Sequence, residues 1–590
     1  MNIKSIKAYF QNQARPNTGN QELTNMTEPH RLGSIQTLDF PMKKYGTDGE
    51  VDFVVIGVGS AGGVFLQRLS RAGFSVVGLE AGPFWDTERD WVSDEAGSHA
   101  LYWTEPRIVG GENPISLGSN NSGRGVGGGS VHWAGFTPRF HPSDFKVRTL
   151  DGVAVDWPFP YETLKPYYEQ LEQEIPVSGP AKFPWGDPHG YRYSAHPPIA
   201  TGDILVKGCT ELGIKVVEGG PVAINNGSYA DRPHCIYRGF CIQGCKVGAK
   251  QSTLISHVPD AIQDGAEIRD HSMAARIETK NGRVTGVHYF DRTGKLIFQK
   301  AKAVIVSGYA IETPRLLLNS AQPGFEKGLA NSSGAVGRYL MVQGGNVVLG
   351  RFDEPVRMYK GPPAHSLTEA FYETDPTRNF KRGFAIQTVG PLPIAFAKQM
   401  AVAKGAWGWG MRRLMMDYNH WSAVGVLGEL LPWEDNRVEL SDHRDSRGQP
   451  VAKVTYRLRE NDKNLIHFAV QKTESILRAA GASEVVQEAR YAHLVGGARM
   501  GLDPQTSVVD KFGGAHDVPN LFVCDGSILP TQGSANPGLT IQALAARTSD
   551  HLTEQAANLF AGRPREMHEP RLHEENAPRH ALKKHGMPAL

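Results

Sequence analysis

Residues 51–83 read "VDFVVIGVGSAGGVFLQRLSRAGFSVVGLEAGP". Residues 51–56 are a short apolar run of the kind buried on both faces of a parallel sheet. Gly57, Gly59 and Gly62 then fit G-x-G-x-x-G. Val64, Leu66 and Leu69 follow among helix formers, and Gly73 suits the position just past a helix C-terminus. A second apolar run, residues 74–79, ends at Glu80. Each piece has a physical role. Gly57 permits a tight turn, Gly59 lets a pyrophosphate approach the backbone, and Gly62 lets helix and sheet pack closely. The phosphates meet the helix N-terminus, and Glu80, 23 residues after Gly57, can accept hydrogen bonds from an adenosine ribose. A bare G-x-G-x-x-G is often only a glycine turn. With strand, helix, second strand and acid in order it predicts a dinucleotide site, without separating FAD from NAD.

The rest of the chain is large enough to build on this unit. At 590 residues it exceeds what one core usually serves, so two or more domains are expected. Hydrophobic residues make up 40%, charged residues 21%, and the 66 glycines imply many tight turns. Lys and Arg total 63 against 61 Asp and Glu, a balance that offers no overall field to gather nucleic acid or an anionic membrane. Five cysteines are too few for a disulfide framework in a chain this long. No run approaches the length of a transmembrane helix. The start, "MNIKSIKAYFQNQARPNTGNQ", lacks the apolar stretch of a signal peptide, so export would require a partner carrying the address.

Residues 1–49 read as a polar extension, and 561–590, with prolines and four histidines, as a solvated or partner-contacting tail. Between them, strand–turn–helix texture near 51–82, 300–320 and 520–555 suggests a parallel α/β layer. Runs such as "NRVEL" and "PVAKVTYRL" within 340–490 suggest a mostly antiparallel sheet. The two textures alternate, so each domain is expected to be discontinuous.

Further motifs follow in order. "GRGVGGGSVHWAG" (123–135) offers backbone N–H groups for an anion nest. "WPFPYETLKPYYEQLE", "GYAIETPRLLLNS" (308–320) and "LFVCDGSILPTQGSANPGLTIQALAARTSDHL" (521–552) come after it. Together they resemble the glucose–methanol–choline (GMC) family of FAD oxidoreductases over roughly residues 50–555. The resemblance implies an α/β fold, in which a Rossmann-like FAD-binding domain accompanies a discontinuous substrate domain on a large antiparallel β-sheet. The FAD-binding parts are expected at 50–155, 256–340 and 491–560, a cap segment at 156–255 and the substrate domain at 341–490. Besides Gly57, Gly59, Gly62 and Glu80, the implied FAD contacts are Gly127, Gly128, Ser130, His132, Asp525, Gly526 and Pro537. His132 stands where some members join a histidine nitrogen to the flavin, and a noncovalent contact there is the alternative.

A His–His or His–Asn pair faces the flavin in that family, and the matching stretches "YAHLVGGARMG" and "TQGSANPGLTI" give His493 and Asn536. Oxidising CH–OH to C=O needs a base for the hydroxyl proton, which an imidazole can be. An amide can donate to the alcohol oxygen without changing protonation. The plainer alternatives are an ordinary structural histidine and an Asx turn before Pro537.

Residues 234–250, "HCIYRGFCIQGCKVGAK", hold Cys235, Cys241 and Cys245. Three thiolates so close repel unless a cation or cluster neutralises them. Zinc with His234 as fourth ligand, a three-iron cluster, and three plain buried thiols are the readings open from spacing. Cys209 and Cys524 read as buried apolar groups. The stretch resembles that of catalytic subunits of bacterial membrane-linked sugar dehydrogenases, which implies a [3Fe–4S] cluster on these three cysteines. It also implies a sugar or sugar-acid substrate, a small companion subunit, a multihaem cytochrome c and a periplasmic site, with a cytoplasmic one as alternative. An oxidase using O₂, a non-catalytic binding module and a nicotinamide-dependent dehydrogenase are the rivals.

Overall fold

The structure is a computed structural model, in which residues 41–115, 122–229 and 232–573 are described. The first forty residues of the extension, and the tail from residue 574 with His580 and His585, lie outside the described residues. The apolar run of the opening motif is the strand Glu50–Ile56, running parallel to Val76–Leu79 on one side and Leu296–Val306 on the other. Val54 sits opposite both Val77 and Val304, so the strand is buried by like neighbours across and along the sheet. Glu267–Arg269 and Leu521–Val523 add further parallel pairings, and the antiparallel strands Arg283–Phe290 and Met273–Lys280 complete seven.

The helix Ser60–Arg71 begins at Gly59 and ends as its sequence predicts. Gly73 adopts φ 90°; its N–H reaches the Ser70 carbonyl and that of Phe74 reaches Leu69, the paired bonds of a Schellman cap. Gly62 serves close packing, since a Cβ there would lie 1.9 Å from the Gly57 carbonyl oxygen.

A second sheet of five antiparallel strands has the order Leu367–Phe371, Phe384–Val389, Trp421–Glu429, Met341–Arg351, Glu484–Val495. The helix Glu460–Ala479 covers one face of it, and its Leu465, Ala469, Ile476 and Leu477 share one apolar cluster with Val347, Val348 and Leu349 of the sheet. "NRVEL" and "PVAKVTYRL" do pair with each other, as Arg437–Arg444 and Pro450–Thr455. They join Ile108–Gly110 in a small separate sheet and take no part in the large one. That partner comes from more than three hundred residues earlier, which local patterning cannot reveal.

The end of the extension lies on the parallel sheet, where Tyr45 donates through its hydroxyl to Gly265 and through its N–H to Glu267. Residues 561–573 are largely exposed yet tied to the body, with Glu569 bonded to Arg547 and Lys511, and Arg565 to Asp510. Among the described residues no helix is long and apolar enough to cross a membrane.

The two glycines separate packing from conformation. Gly62→Ala drives a methyl into backbone and is expected to cost about 3 kcal/mol or more. Gly73→Asn keeps a residue that tolerates φ > 0, in open space, and should cost about 1 kcal/mol or less. Thermal unfolding midpoints of the two variants measure the contrast, and equal losses would contradict the packing role of Gly62.

Candidate active site

A cavity of about 910 Å³ lies at the carboxyl ends of the parallel strands, with Ile56, Leu79 and Ser307 in its wall. Ligands of open α/β sheets bind at this place. Gly57, Gly59 and Gly128 form one side. The two glycine segments, far apart in sequence, touch back to back: a Cβ on Gly128 (φ +49°) would lie 2.7 Å from Gly59 Cα. Gly127 donates to the Val58 carbonyl at 2.8 Å. The Ser130 hydroxyl, expected to contact the cofactor, donates instead to Gly127 O at 2.6 Å and accepts the Thr253 N–H at 3.1 Å. Thr253 Oγ1 in turn donates to Gly59 O. Gly62, Gly127 and Ser130 therefore stand behind the wall and hold its shape, Gly62 in the packing role its place in the motif implies.

Glu80 lines the cavity and ties three turns together, accepting the N–H groups of Val58, Gly82 and Gly125 at 2.9–3.0 Å. Asp525 and Gly526 lie in the wall as well. The Asp525 carboxylate accepts from the Tyr309 and Ser527 N–H groups and the Thr313 hydroxyl at 2.6–2.8 Å, while burial pushes its pKa up. Pro537 begins the helix Gly538–Phe560, whose N-terminus faces the cavity and favours negative charge there. His132 is buried in the wall, edge-on to Tyr102 with ring centroids 5.0 Å apart. Burial and Lys250 lower its pKa to about 3, so its ring is neutral, and Nε2 has no partner among the described residues. A backbone cradle at a helix N-terminus and an orphaned imidazole nitrogen fit the expected dinucleotide.

His493 and Asn536 come together on the same cavity, Asn536 Nδ2 lying 3.5 Å from His493 Nε2. Strand Glu484–Val495 is irregular here: Met341 pairs with Val495 but Gln343 with Ala492, so one extra residue is inserted opposite Met341–Gln343. His493 adopts φ 50°, a left-handed value unusual outside glycine, and this bulge gives it a direction the regular pleat would not. Gln343, which sequence reasoning missed, sets its tautomer. The Gln343 amide donates to the carbonyls of Gly533 and Ala535 at 2.9 and 2.7 Å. Its Oε1 must therefore accept, and it accepts from His493 Nδ1 at 2.6 Å. That leaves the lone pair on Nε2. Burial, with Arg490 adding to it, lowers the His493 pKa to about 4. The available signal was a glutamine near the start of the strand Met341–Arg351, where it proves to be buried.

The cysteines are all free. Among the described residues no three His, Cys, Asp or Glu side chains are arranged to hold a metal ion. The ligand set that the zinc reading with His234 asks for is therefore not seen among the described residues. The three thiols still act on one another. Burial and Cys245 raise Cys235 to about 11, and burial with both neighbours raises Cys241 further. Cys235 Sγ accepts the Tyr237 N–H and Cys245 Sγ the Lys250 N–H, each at 3.4 Å. Between Cys241 and Cys245, Ile242 and Gln243 reach the cavity wall, and the Ile242 carbonyl accepts from the Tyr102 hydroxyl. Lys250 is buried, donating through Nζ to the carbonyls of Ser130 and Val131 at 2.9–3.0 Å. Cys209 and Cys524 are fully buried, as expected.

Comparison with known proteins agrees with this arrangement. Two family models described as GMC oxidoreductase match, the N-terminal one over residues 51–343 and the C-terminal one over 432–545. The chain is 35% identical to 2-methyl-1,2-propanediol dehydrogenase of Mycolicibacterium austroafricanum over 86% of its own length and 96% of the relative's. It is 29% identical to the fructose dehydrogenase large subunit of Gluconobacter japonicus, covering 85% and 97%. Paromamine 6'-oxidase of Streptomyces fradiae is 30% identical, covering 84% and 90%. Among solved structures, an Aspergillus oryzae RIB40 formate oxidase shares the fold at a TM-score of 0.63, with 15% identity over 87% of this chain and 100% of the other. With the Rossmann-like layer, the antiparallel substrate sheet and the cradle between them, these matches lead to one conclusion: the chain belongs to the GMC oxidoreductases and is an FAD-dependent oxidoreductase acting on the CH–OH groups of alcohols or sugars.

Proposed function

We propose that this chain is a dehydrogenase oxidising a secondary or anomeric hydroxyl of a sugar or sugar acid, with His493 and Asn536 as the catalytic pair. The observation carrying the reading is the Gln343 clamp, which holds Nδ1 protonated and leaves Nε2 free beside Asn536. Nε2 takes the hydroxyl proton, and Asn536 Nδ2 donates to the same substrate oxygen and holds it in place. FAD, when bound, supplies the acceptor for the hydride that leaves the carbinol carbon. A base with a pKa near 4 does not deprotonate an alcohol unaided, so proton acceptance at Nε2 accompanies C–H cleavage and does not precede it.

A short vicinal diol is the second substrate reading, favoured by the 35% identity to a diol dehydrogenase. The sugar reading draws on the fructose dehydrogenase large subunit and on the gluconate 2-dehydrogenase flavoprotein of Pantoea cypripedii, 24% identical. It carries the proposal of a small companion subunit, a multihaem cytochrome c and a periplasmic location reached with that companion. In the same reading Cys235, Cys241 and Cys245 would hold a [3Fe–4S] cluster, which supplies one-electron chemistry. Three clustered sulfurs, the ionisation of Cys241 disfavoured by burial and by its two neighbours, with two N–H···S bonds and the buried Lys250, support it. The lack of a single-ion ligand set among the described residues is compatible, because a polynuclear core spaces its sulfurs more widely. His132, neutral with an unpartnered Nε2, is proposed as the site of a covalent flavin link.

The lowered His493 pKa fixes the sign of the pH dependence. The base is neutral above its pKa, so kcat/KM should hold from neutrality down to about pH 5 and fall as pH drops through about 4. An acidic limb at the ordinary histidine value would contradict the geometry. His493→Ala should lower kcat by about 10²–10⁴, and Gln343→Leu by about tenfold with the acidic limb displaced. A substrate panel with a dye acceptor, run with and without air, separates sugars from diols, and stoichiometric peroxide would replace the dehydrogenase with an oxidase.

Acid precipitation tests the flavin link: yellow colour should remain with the protein and be released in His132→Ala. Free flavin from the parent chain would make the contact noncovalent. Purified material should contain about three irons and four acid-labile sulfides per chain, lost in Cys241→Ser. Iron-free protein with full dye-linked turnover would remove the cluster.

A further inference from the structure

One face of the molecule is left unused by the chemistry above. The helix Pro393–Lys404 is rooted by Phe396, Gln399 and Met400, which are buried, and Phe396 packs on Tyr418 and Trp421 at centroid distances of 5.1 and 5.8 Å. Its opposite side is open, with Ile394 53% and Val402 64% exposed. Gly405 and Gly408, at φ 60° and 55°, turn the chain into a second helix, Gly408–Met416, that has no buried residue. At the tip between the helices Trp407 is 85% exposed and Trp409 72%, and Met416 is 77% exposed at the far end. In sequence the two indoles are flanked by Gly405, Ala406, Gly408 and Gly410, small residues that do little to cover them. Large side chains this bare, clustered and not scattered, mark a surface that is covered in use.

The charges indicate what covers it. Residues 393–416 carry Lys398, Lys404, Arg412 and Arg413 and no Asp or Glu, in a chain otherwise balanced at 63 against 61. Lys404 pairs with Glu484, but Lys398, Arg412 and Arg413 have no ion pair among the described residues. Arg412 lies over the Trp409 ring, 4.8 Å from its centroid. Indoles at a projecting tip with unpaired cations behind them match the headgroup layer of an anionic bilayer. There the rings enter the interface and the ammonium and guanidinium groups remain among the phosphates.

We propose that the 393–416 hairpin is a membrane-surface anchor that seats this chain directly on anionic phospholipid. The root of the hairpin is part of the active-site cavity. Ile394, Ala395 and Lys398 line it, and Glu95 accepts the N–H groups of Ile394 and Ala395 at 2.6 and 2.8 Å. Ile394 and Lys398 are both exposed and cavity-lining, so they stand at its mouth. Seating the hairpin therefore brings the substrate entrance close to the headgroup layer. The anchor does not depend on the identity of the substrate or of the electron acceptor.

Co-sedimentation of the purified full-length flavoprotein with vesicles tests the proposal. Phosphatidylcholine vesicles containing about 30 mol% phosphatidylglycerol should bind it about tenfold or more tightly than phosphatidylcholine alone, with the difference reduced by salt. Tryptophan emission should shift to the blue on binding. Trp407→Ser/Trp409→Ser should lose about tenfold or more of the affinity. Arg412→Ser/Arg413→Ser should lose the salt-sensitive part. Both variants alter exposed residues outside the catalytic machinery and should keep dye-linked turnover of a dissolved substrate, which also reports that they fold. A chain that stays in the supernatant with anionic vesicles overturns the anchor, as does equal vesicle binding by parent and double-tryptophan variant. If sedimentation velocity instead shows a dimer that the tryptophan variant dissociates, without vesicle binding, the face belongs to a second copy.

Discussion

The contact between Gly59 and Gly128 is the constraint on which the rest of the site is arranged. Two backbone turns, one after the first strand and one about seventy residues later, meet with no side chain between them. The gap they leave is bounded by N–H groups and by the positive end of a helix, which suits a pyrophosphate. Such a contact has little apolar area to stabilise it, so it is held by polar bonds. Glu80 gathers three amides, Ser130 bonds Gly127, and Thr253 spans to Gly59. The segment that supplies Thr253 follows directly on the cysteine loop, so the cradle and the thiols share one mechanical support. Lys250 joins them, its ammonium on the carbonyls of Ser130 and Val131 and its amide on Cys245.

The juxtaposition of His493 and Asn536 depends on a second support, built from buried charge. Arg382 bonds Asp144, Asp151 and Glu429, and Asp144 also accepts the Tyr372 hydroxyl. Asp144's own carbonyl accepts the Thr531 hydroxyl, and Ser534 donates to Gly383 beside Arg382. This cluster grips residues 531–535, the loop that Gln343 bonds on one side and that delivers Asn536 on the other. Burial pushes the Asp144 carboxyl up to about 7 against the opposing pull of Arg382. A buried ion network of this kind contributes little net stability, and its effect here is to allow only one position for the loop. The strained φ of His493 persists because the bulge, Gln343 and the Gln532 bond to its carbonyl over-determine it.

The opening motif was readable because its physics is local. A strand, a glycine turn and a helix with a Schellman end require only neighbours in sequence, and each appeared where residues 51–80 implied. The pairing of His493 with Asn536 was legible only through family resemblance, since the two lie on separate elements and nothing local marks either. Gln343 was invisible because its meaning lies in three bonds to residues about 150 and 190 positions away. The helix Pro393–Lys404 lacks a regular apolar face along its length, and its exposure becomes visible only once Phe396 and Met400 are seen to use up the inward side.

Sequence alone determined that this chain binds a dinucleotide on a βαβ unit, because glycine spacing, apolar runs and a terminal acid are set by short-range sterics. It also placed three thiols in one loop, since they are neighbours in the chain. Only the tertiary structure decided which of those glycines face the ligand and which tautomer His493 holds. It alone placed the cysteine loop against the cavity wall. Those outcomes rest on contacts between segments hundreds of residues apart, and the direction of a hydrogen bond is fixed by where its partners end up in space.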